Sequence, residues 1–135
     1  MLQFHKNGIK NVFVLEDMLD RISWFTKIFN FCDFLFTTSL VGDALEILNQ
    51  YKFDVCFLDH DLEARAYEDY FNAREPQEEL TGLYIAKKLK DNMNKDTLTI
   101  IHSMNPVGSN RMSDVLPNAL VIPYDVLVKN TEVIE

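Results

Sequence analysis

Two histidines of this chain follow short apolar runs. His60 comes two residues after the run 55–58, and His102 comes directly after the run 98–101. Histidine titrates near neutral pH, so its imidazole can give or take a proton at modest cost. Two histidines at neighbouring strand ends are the minimum for acid and base catalysis. The alternative is that both are structural histidines with satisfied hydrogen bonds.

Four carboxylates stand at the same kind of position. Glu16 and Asp17 follow the apolar run 12–15, and Asp59 and Asp61 flank the first histidine. Two residues apart in an extended chain, Asp59 and Asp61 direct their side chains to the same side. Clustered carboxylates repel one another and suit Mg²⁺, and with a histidine nitrogen they suit Mn²⁺ or Zn²⁺. We expect a divalent-cation site here, with the alternative that Asp17 caps the following helix.

Two arginines and an asparagine are candidates for binding phosphate. Arg21 lies one turn into the first predicted helix, and its planar guanidinium suits a phosphate. The alternative for Arg21 is a surface ion pair with Asp17. Asn105 and Arg111 belong to a turn-rich segment whose backbone amides could bind an anion. The alternative for that segment is a simple crossover turn.

The elements that must position these residues alternate between strand and helix. Apolar runs predict strands at 11–15, 33–37, 55–58, 98–101 and 119–122. Three- and four-residue spacing predicts helices at 18–29, 41–50, 81–90 and 110–116, the second with Ser39 as its N-cap. This alternation predicts a parallel sheet covered by helices on both faces. Ligands of such sheets bind outside the carboxyl ends of the strands, where the histidines and acids would meet.

Two further segments bear on the site. The segment 63–79 is polar, acidic and aromatic, and it follows the strand that ends at Asp59. Loops of this length in compact domains are often lids or binding loops, and we expect one here. Only twelve residues follow Pro123, so the last helix is expected to be short.

Composition bounds the class of protein. The 135 residues, 47% hydrophobic and 25% charged, suit one globular domain spanning 1–135. A net charge of −8 argues against a broad surface for duplex DNA. No apolar run approaches the roughly 20 residues that span a bilayer, and no secretory signal is visible. Two unpatterned cysteines, Cys32 and Cys56, favour a reducing compartment, so we expect a cytoplasmic protein.

Several of these motifs resemble the receiver domain of response regulators. Glu16 and Asp17 resemble the acid pair that holds a divalent cation, and Asp59 resembles the phosphoacceptor aspartate. Ser103 falls near the hydroxyl position after the fourth receiver strand. The resemblance implies an α/β fold: a three-layer, doubly wound, five-stranded parallel sheet in the flavodoxin-like order 2-1-3-4-5. The short segment after Pro123 departs from it and predicts a truncated last helix.

One departure from receivers concerns phosphorylation. Receivers carry a lysine before the proline that follows their fifth strand, and that lysine contacts the phosphoryl group. Here Ile122 precedes Pro123. Because isoleucine supplies no cation, we predict that Asp59 is not a physiological phosphoacceptor.

A narrower resemblance accounts for the departures. The motif set resembles the cyclic-phosphate-processing receiver-like family of bacteria and phages. The motif set consists of Leu15-Glu16-Asp17 with Arg21, Leu58-Asp59-His60-Asp61-Leu62, Thr81-Gly82, and His102-Ser103-Met104-Asn105-Pro106-Val107-Gly108. The resemblance implies action on cyclic phosphate ends or cyclic nucleotides.

These observations combine into one prediction about roles. We predict a phosphoesterase acting on a small phosphate-containing ligand, such as a cyclic nucleotide or an RNA terminus. The catalytic residues would be His60, His102 and Asp59. Substrate would be bound by Arg21, Ser103, Asn105 and Arg111, and Mg²⁺ or Mn²⁺ by Glu16, Asp17, Asp59 and Asp61. Two alternatives stay open: a nucleotide-binding module that sequesters without turnover, and a divergent receiver phosphorylated on Asp59.

Overall fold

The computed structural model describes residues 1–62 and 81–135, so the predicted loop at 63–79 lies outside the described residues. The described elements are, in chain order, β1 (Leu2–His5), β2 (Asn11–Leu15), α1 (Leu19–Ile28), β3 (Phe34–Thr38), α2 (Val41–Gln50), β4 (Val55–Leu58), α3 (Gly82–Leu89), β5 (Leu98–Ile101), α4 (Pro106–Val115), β6 (Leu120–Val121), α5 (Tyr124–Asn130) and β7 (Thr131–Ile134).

Five of the described strands form one parallel sheet in the order β3-β2-β4-β5-β6. In the numbering of the five predicted strands this is the order 2-1-3-4-5, so the predicted fold is confirmed. The central strands β2 and β4 are almost completely buried, as expected for parallel strands covered on both faces.

The sheet separates two apolar clusters, because side chains alternate between its faces. The first cluster takes from the sheet Phe13, Leu15, Cys56, Leu58 and Ile101. The second takes Val12, Val14, Val55, Phe57 and Ile100. Helices α2, α3 and α4 cover the first cluster, and α1 and α5 cover the second. This is the predicted three-layer arrangement.

One helix start and one N-cap residue differ from the prediction. The helix predicted at 110–116 begins at Pro106, because the Asn105 side chain caps it: its Oδ1 accepts the Gly108 N–H at 3.1 Å. Proline at the first helical position also favours this start. Ser39 is not the cap of α2; Leu40 is its N-cap residue, and the Leu40 N–H donates to Oγ1 of Thr38 at 3.1 Å.

The terminal segments pair with each other, which the sequence did not predict. Strand β1 is parallel to β7 in a separate two-stranded sheet of the described residues. Phe4 of β1 is buried, with its ring 5.3 Å from that of Phe29 and 6.0 Å from that of Phe57. The short helix α5, of seven residues, therefore leads into β7, whose partner β1 contributes Phe4 to the second cluster.

Among the helices of residues 1–62 and 81–135, none has the length and apolar character needed to cross a membrane.

Candidate functional site

Glu16, Asp59 and His102 form one row across three adjacent strands. The last residues of β2, β4 and β5 are register partners. Glu16, Asp59 and His102 directly follow these strands. One oxygen of each carboxylate and one ring nitrogen of His102 all lie within 4.8 Å of one another. Parallel register therefore brings two acids and an imidazole together from three distant parts of the sequence.

Glu16 follows β2, at one end of this row, and it is fully buried. Its Oε1 lies 2.8 Å from Nε2 of His102, and its Oε2 accepts the N–H groups of Asp17 at 3.0 Å and Met18 at 3.1 Å. Met18, not Asp17, is the N-cap residue of α1, so the alternative that Asp17 caps this helix is wrong. The Asp17 carboxylate instead lines the cleft described below.

His102 is fully buried, with its ring edge-on to Phe25 at 5.2 Å and to Phe57 at 6.4 Å. Burial lowers the pKa of His102 to about 4, so the ring is neutral at pH 7. A neutral imidazole carries one N–H, and the Glu16 carboxylate favours it on Nε2. Nδ1 then holds a lone pair, and it has no hydrogen-bond partner among the residues described.

Two of the acids hold their protons more tightly than usual. Burial is the main reason that the pKa of Asp59 is raised to about 6, and the negative charge of Glu16 adds to it. Burial is the main reason that the pKa of Asp17 is raised to about 6, and a hydrogen bond to Glu16 and the negative charge of Glu16 add to it. These shifts report mutual repulsion in a poorly hydrated cluster, and a bound cation would relieve it.

His60 is held by a different acid. Its Nδ1 lies 2.7 Å from Oδ1 of Asp61, and Nδ2 of Asn105 donates to both oxygens of Asp61, at 3.2 and 3.3 Å. Burial raises the pKa of Asp61, but the hydrogen bonds from His60 and Asn105 outweigh it, and the net shift is downward. Asp61 is therefore ionised, and it orients the His60 ring with Nδ1–H towards it.

Two glycines fix the chain that carries Asp59 and His60. A Cβ at Gly82 would overlap the backbone carbonyl of Asp59, and a Cβ at Gly108 would overlap the ring of His60. The Gly82 N–H also donates to the His60 carbonyl at 2.9 Å. Helices α3 and α4 can approach the end of β4 this closely only because both residues lack a side chain.

A cleft of about 190 Å³ opens above the row. Its described lining is Asp17, Met18, Arg21, Asp59, Asp61, Leu62, Ser103 and Met104. Arg21 is held at its edge: Nη1 lies 3.8 Å from Oε1 of Glu16, and Cζ lies 4.8 Å from the ring centroid of Tyr124. The ion pair that the structure gives Arg21 is with Glu16, not with Asp17.

The structure sorts the predicted residues into four groups. Five line the cleft: Asp17, Arg21, Asp59, Asp61 and Ser103. Glu16 and His102 are buried below it, and His60 and Asn105 flank Asp61. Arg111 is exposed on α4 and is not among the described residues of the lining. The direct phosphate contacts assigned to Asn105 and Arg111 stay predictions.

Sequence reasoning missed Tyr124, and it left Gly108 as a turn residue. The position of Tyr124, directly after the proline that ends the β6 segment, was the available signal, because this is the same carboxyl edge of the sheet. The contact of Gly108 with the His60 ring depends on the packing of α4 against β4, which no local pattern encodes.

Comparison with protein families gives one match. Residues 15–118 match the family model described as "Cyclic-phosphate processing Receiver domain". That span includes every predicted site residue. Comparison with curated proteins gives no match.

Solved structures similar to this chain are response-regulator receivers. A CheY-like receiver domain from Methylobacillus flagellatus is 14% identical, with a TM-score of 0.60, over 90% of this chain and 93% of that chain. A regulator from Burkholderia pseudomallei, with a phosphorylated aspartic acid, calcium ion and citrate, is 14% identical, with a TM-score of 0.61, over 84% and 59%. A regulator from Thermotoga maritima, in complex with Mg²⁺-BeF, is 15% identical, with a TM-score of 0.59, over 87% and 90%. Likeness at these identities shows the fold.

Proposed function

The chain belongs to the cyclic-phosphate processing receiver family, and from this premise we propose that it hydrolyses a cyclic phosphate bound in the cleft. The observation that carries the proposal is the described lining of that cleft, in which one arginine lies with three carboxylates. The arginine suits a phosphate, and the carboxylates suit a divalent cation beside it. A nucleotide or an RNA end supplies a cyclic phosphate of suitable size.

The residues at the strand ends fit a divalent cation. The receiver from Thermotoga maritima binds Mg²⁺ with BeF, and that from Burkholderia pseudomallei holds calcium. In this chain Glu16, Asp59 and His102 would hold the ion, with Asp17 beside them. The raised pKa values of Asp17 and Asp59 support this fit, because a cation would offset their repulsion. When bound, such an ion acts as a Lewis acid on a phosphoryl oxygen.

Arg21 and Ser103 are suited to holding the phosphate. The Arg21 side chain is 17% exposed and fixed between Glu16 and the Tyr124 ring, so little freedom is lost on binding. The Ser103 Oγ accepts the Asn105 N–H at 3.0 Å, which leaves its hydroxyl proton to donate. Asn105 holds Asp61 and caps α4, so we assign it to positioning.

His60 is the residue best placed to move protons. With Nδ1–H on Asp61, its Nε2 is the basic nitrogen. In the proposed step His60 takes a proton from water while the water oxygen attacks phosphorus. One ring P–O bond breaks, and the leaving oxygen takes the proton from His60. The products are a phosphomonoester and a free hydroxyl, and His60 regains its starting form.

His102 is reassigned in this proposal. The sequence predicted it as a second proton carrier, but its ring is fully buried and bonded to Glu16. Its low pKa also makes it a poor acceptor of protons at pH 7. We therefore propose that His102 acts on the cation rather than on the substrate.

An apolar groove beside the cleft supports a nucleotide as the substrate class. The groove, about 370 Å³, shares Ser103 and Met104 with the cleft. It is also lined by Pro106, Val121 and Val126. A ligand with its phosphate against Arg21 could place a base or ribose against these apolar side chains, as ligand sites commonly combine the two surfaces.

Phosphorylation of Asp59 is the signalling alternative. Likeness to the receiver with a phosphorylated aspartic acid favours it. Ile122 counts against it, since this residue packs in the second apolar cluster and offers no cation to a phosphoryl group. The other alternative is that the protein binds a nucleotide in the same cleft without hydrolysing it. It differs from the proposed function only in that no product forms.

One experiment separates the three functions. The protein, with and without Mn²⁺ or Mg²⁺, is incubated with 2′,3′-cyclic, 3′,5′-cyclic and cyclic dinucleotide substrates, and separately with acetyl phosphate. We expect a cyclic substrate to gain one water by mass spectrometry. Stoichiometric labelling of the protein by acetyl phosphate, lost in Asp59→Ala, would establish the receiver function instead. Binding of a cyclic nucleotide without any product would establish sequestration.

A further inference from the structure

We propose that Tyr124 is a positioning residue: its ring holds the Arg21 guanidinium at the edge of the cleft and out of hydrogen bonds with the carboxylates there. The N–H donors of Arg21 therefore stay available to a phosphate. The inference rests on the phosphate site of the proposed function and adds the residue that keeps its arginine in place.

Arg21 is surrounded by acids, but among the described residues it donates no hydrogen bond. Its ion pair with Glu16 joins Nη1 to Oε1 at 3.8 Å, which is too long for a hydrogen bond. Asp17 and Asp59 line the same cleft, and in the described part of the chain neither forms an ion pair with Arg21. A guanidinium carries five N–H donors, and this side chain is only 17% exposed. Unused donors at such depth suit an anionic ligand.

The Tyr124 ring provides the contact that the acids do not. The Arg21 Cζ lies 4.8 Å from the ring centroid, which is within cation–π distance. An aromatic ring attracts the charge of a guanidinium through its π face and does not use up the N–H groups in the way that a carboxylate does. A carboxylate in the same place would accept two parallel N–H bonds and compensate the charge. The ring therefore holds Arg21 and leaves it able to bind phosphate.

The ring is itself fixed by its neighbours. Tyr124 is the first residue of α5, and Leu127, one turn further on, is fully buried in the second cluster. The Trp24 ring of α1 meets the Tyr124 ring edge-on, with centroids 5.9 Å apart. Helix α5 also continues without a loop into β7, which pairs with β1. These contacts fix the ring and, through it, the guanidinium that lies over it.

Nuclear magnetic resonance of the ligand-free protein provides the first test. Arginine side chains labelled with ¹⁵N give separate signals, and Arg21→Lys identifies the one from Arg21. In the wild type the ring current of Tyr124 should displace this signal. Tyr124→Phe should keep the displacement, and Tyr124→Leu should abolish it. An unchanged Arg21 signal in Tyr124→Leu would overturn the proposal. So would a wild-type signal at the position of an unstacked arginine, which decides the question even if Tyr124→Leu does not fold.

Binding of inorganic phosphate, followed through the same Arg21 signal, provides the second test. Tyr124→Leu should weaken binding about fivefold to tenfold, since it removes a partly desolvated cation–π contact. Tyr124→Phe retains the ring and should bind within about twofold of the wild type. Tyr51→Leu, at a tyrosine that is 49% exposed at the end of α2, is the matched control and should change nothing. Equal affinity in Tyr124→Leu and wild type, or an Arg21 signal that does not respond to phosphate, would overturn the proposal.

Neither measurement uses turnover, so both separate the inference from the proposed function. Phosphate binding that depends on the Tyr124 ring, without hydrolysis of any cyclic phosphate, would keep the inference and reject the proposed function. Hydrolysis with the same KM in the wild type and in Tyr124→Leu would do the reverse.

Discussion

The two edges of the central sheet both bury polar side chains, but only one edge satisfies them. At the amino edge, Asn94 is fully buried and uses both ends of its amide. Its Oδ1 accepts the Phe53 N–H at 2.8 Å and the Thr97 hydroxyl at 3.1 Å, and its Nδ2 donates to the carbonyls of Leu48 and Tyr51, each at 2.9 Å. This asparagine joins the chain segments that enter β4 and β5.

The carboxyl edge has the opposite character. His102 is equally buried, yet its Nδ1 has no partner in the described part of the chain. Asp17 and Asp59 have raised pKa values because they are partly or largely buried and because they adjoin Glu16. Satisfied polar groups stabilise a fold, and strained or unsatisfied ones collect where a ligand will complete them. The comparison predicts that Asn94 contributes to stability, and it supports the proposal that the row binds a ligand.

The largest effect is expected at the carboxyl edge, on turnover. His60→Ala should lower hydrolysis of a cyclic phosphate by about 10²–10⁴-fold, the usual contribution of a positioned acid or base. Steady-state kinetics measures this, with circular dichroism to check folding and His5→Ala as a matched control. Turnover at the wild-type rate would remove His60 from the reaction and end the assignment of proton transfer to it.

The next effect belongs to the amino edge and concerns stability. Asn94→Ala leaves the partners of four hydrogen bonds unsatisfied, so the free energy of unfolding should fall by about 3–5 kcal/mol. Urea denaturation provides the value. The affinity of the still-folded variant for Mn²⁺ should remain that of the wild type. A large loss of metal affinity at equal folded fraction would show that the two edges are not independent.

Asp59→Asn sharpens the comparison because, unlike Asn94→Ala, it should raise the free energy of unfolding of the metal-free protein. Asparagine can still accept the His60 N–H but carries no charge, so the metal-free variant should be more stable than wild type by about 1–3 kcal/mol at pH 7. Mn²⁺ should reverse this order, because the wild type binds it more tightly. Denaturant unfolding with and without metal measures both differences.

The same variant gives a pH dependence. The pKa of Asp59 is raised from 3.8 to about 6, so the folded wild type binds a proton more readily than the unfolded chain between these values. The wild type is therefore stabilised relative to Asp59→Asn as the pH falls from about 6 to 4, and the difference in their free energies of unfolding shrinks. A difference between the two proteins that stays constant from pH 7 to pH 4 would mean that Asp59 is not strained.

The smallest effect is expected in the groove beside the cleft. Val126 is 43% exposed, so Val126→Asp should not affect folding, but it adds charge to an apolar wall. Affinity for a cyclic nucleotide should fall about threefold to tenfold by calorimetry, which is roughly 1 kcal/mol. A cyclic phosphate that carries no base should bind as before. Equal weakening of both ligands would rule out the groove as the place of the base.

Much of the fold could be predicted because its central strands are fully buried. The strands at 11–15, 55–58 and 98–101 agree with the structure to the residue, since each is a mainly apolar run ended by a charged or polar side chain. The pairing of β1 with β7 could not be predicted. It joins the two ends of the chain, and its strands are short and partly polar, so only tertiary packing of residues such as Phe4 specifies it.

Which residues lie together at this edge of the sheet was predictable, but how deeply each of them is buried was not. Parallel register requires residues that follow neighbouring strands to meet, which placed Glu16, Asp59 and His102 together. Whether a ring there faces solvent or the core depends on neighbours such as Phe25, which come from another layer. His102 therefore looked like a second proton carrier in sequence and is a buried partner of Glu16 in the structure.

The most direct test of the account compares turnover of one cyclic phosphate by wild type, Asp59→Asn and Asn94→Ala, each at saturating Mn²⁺ and corrected for the folded fraction. The account predicts that the more stable Asp59→Asn is at least about 100-fold slower than wild type, while the less stable Asn94→Ala retains the wild-type rate per folded molecule. Hydrolysis by Asp59→Asn at the wild-type rate would contradict it. So would a wild-type protein that converts no cyclic phosphate at all.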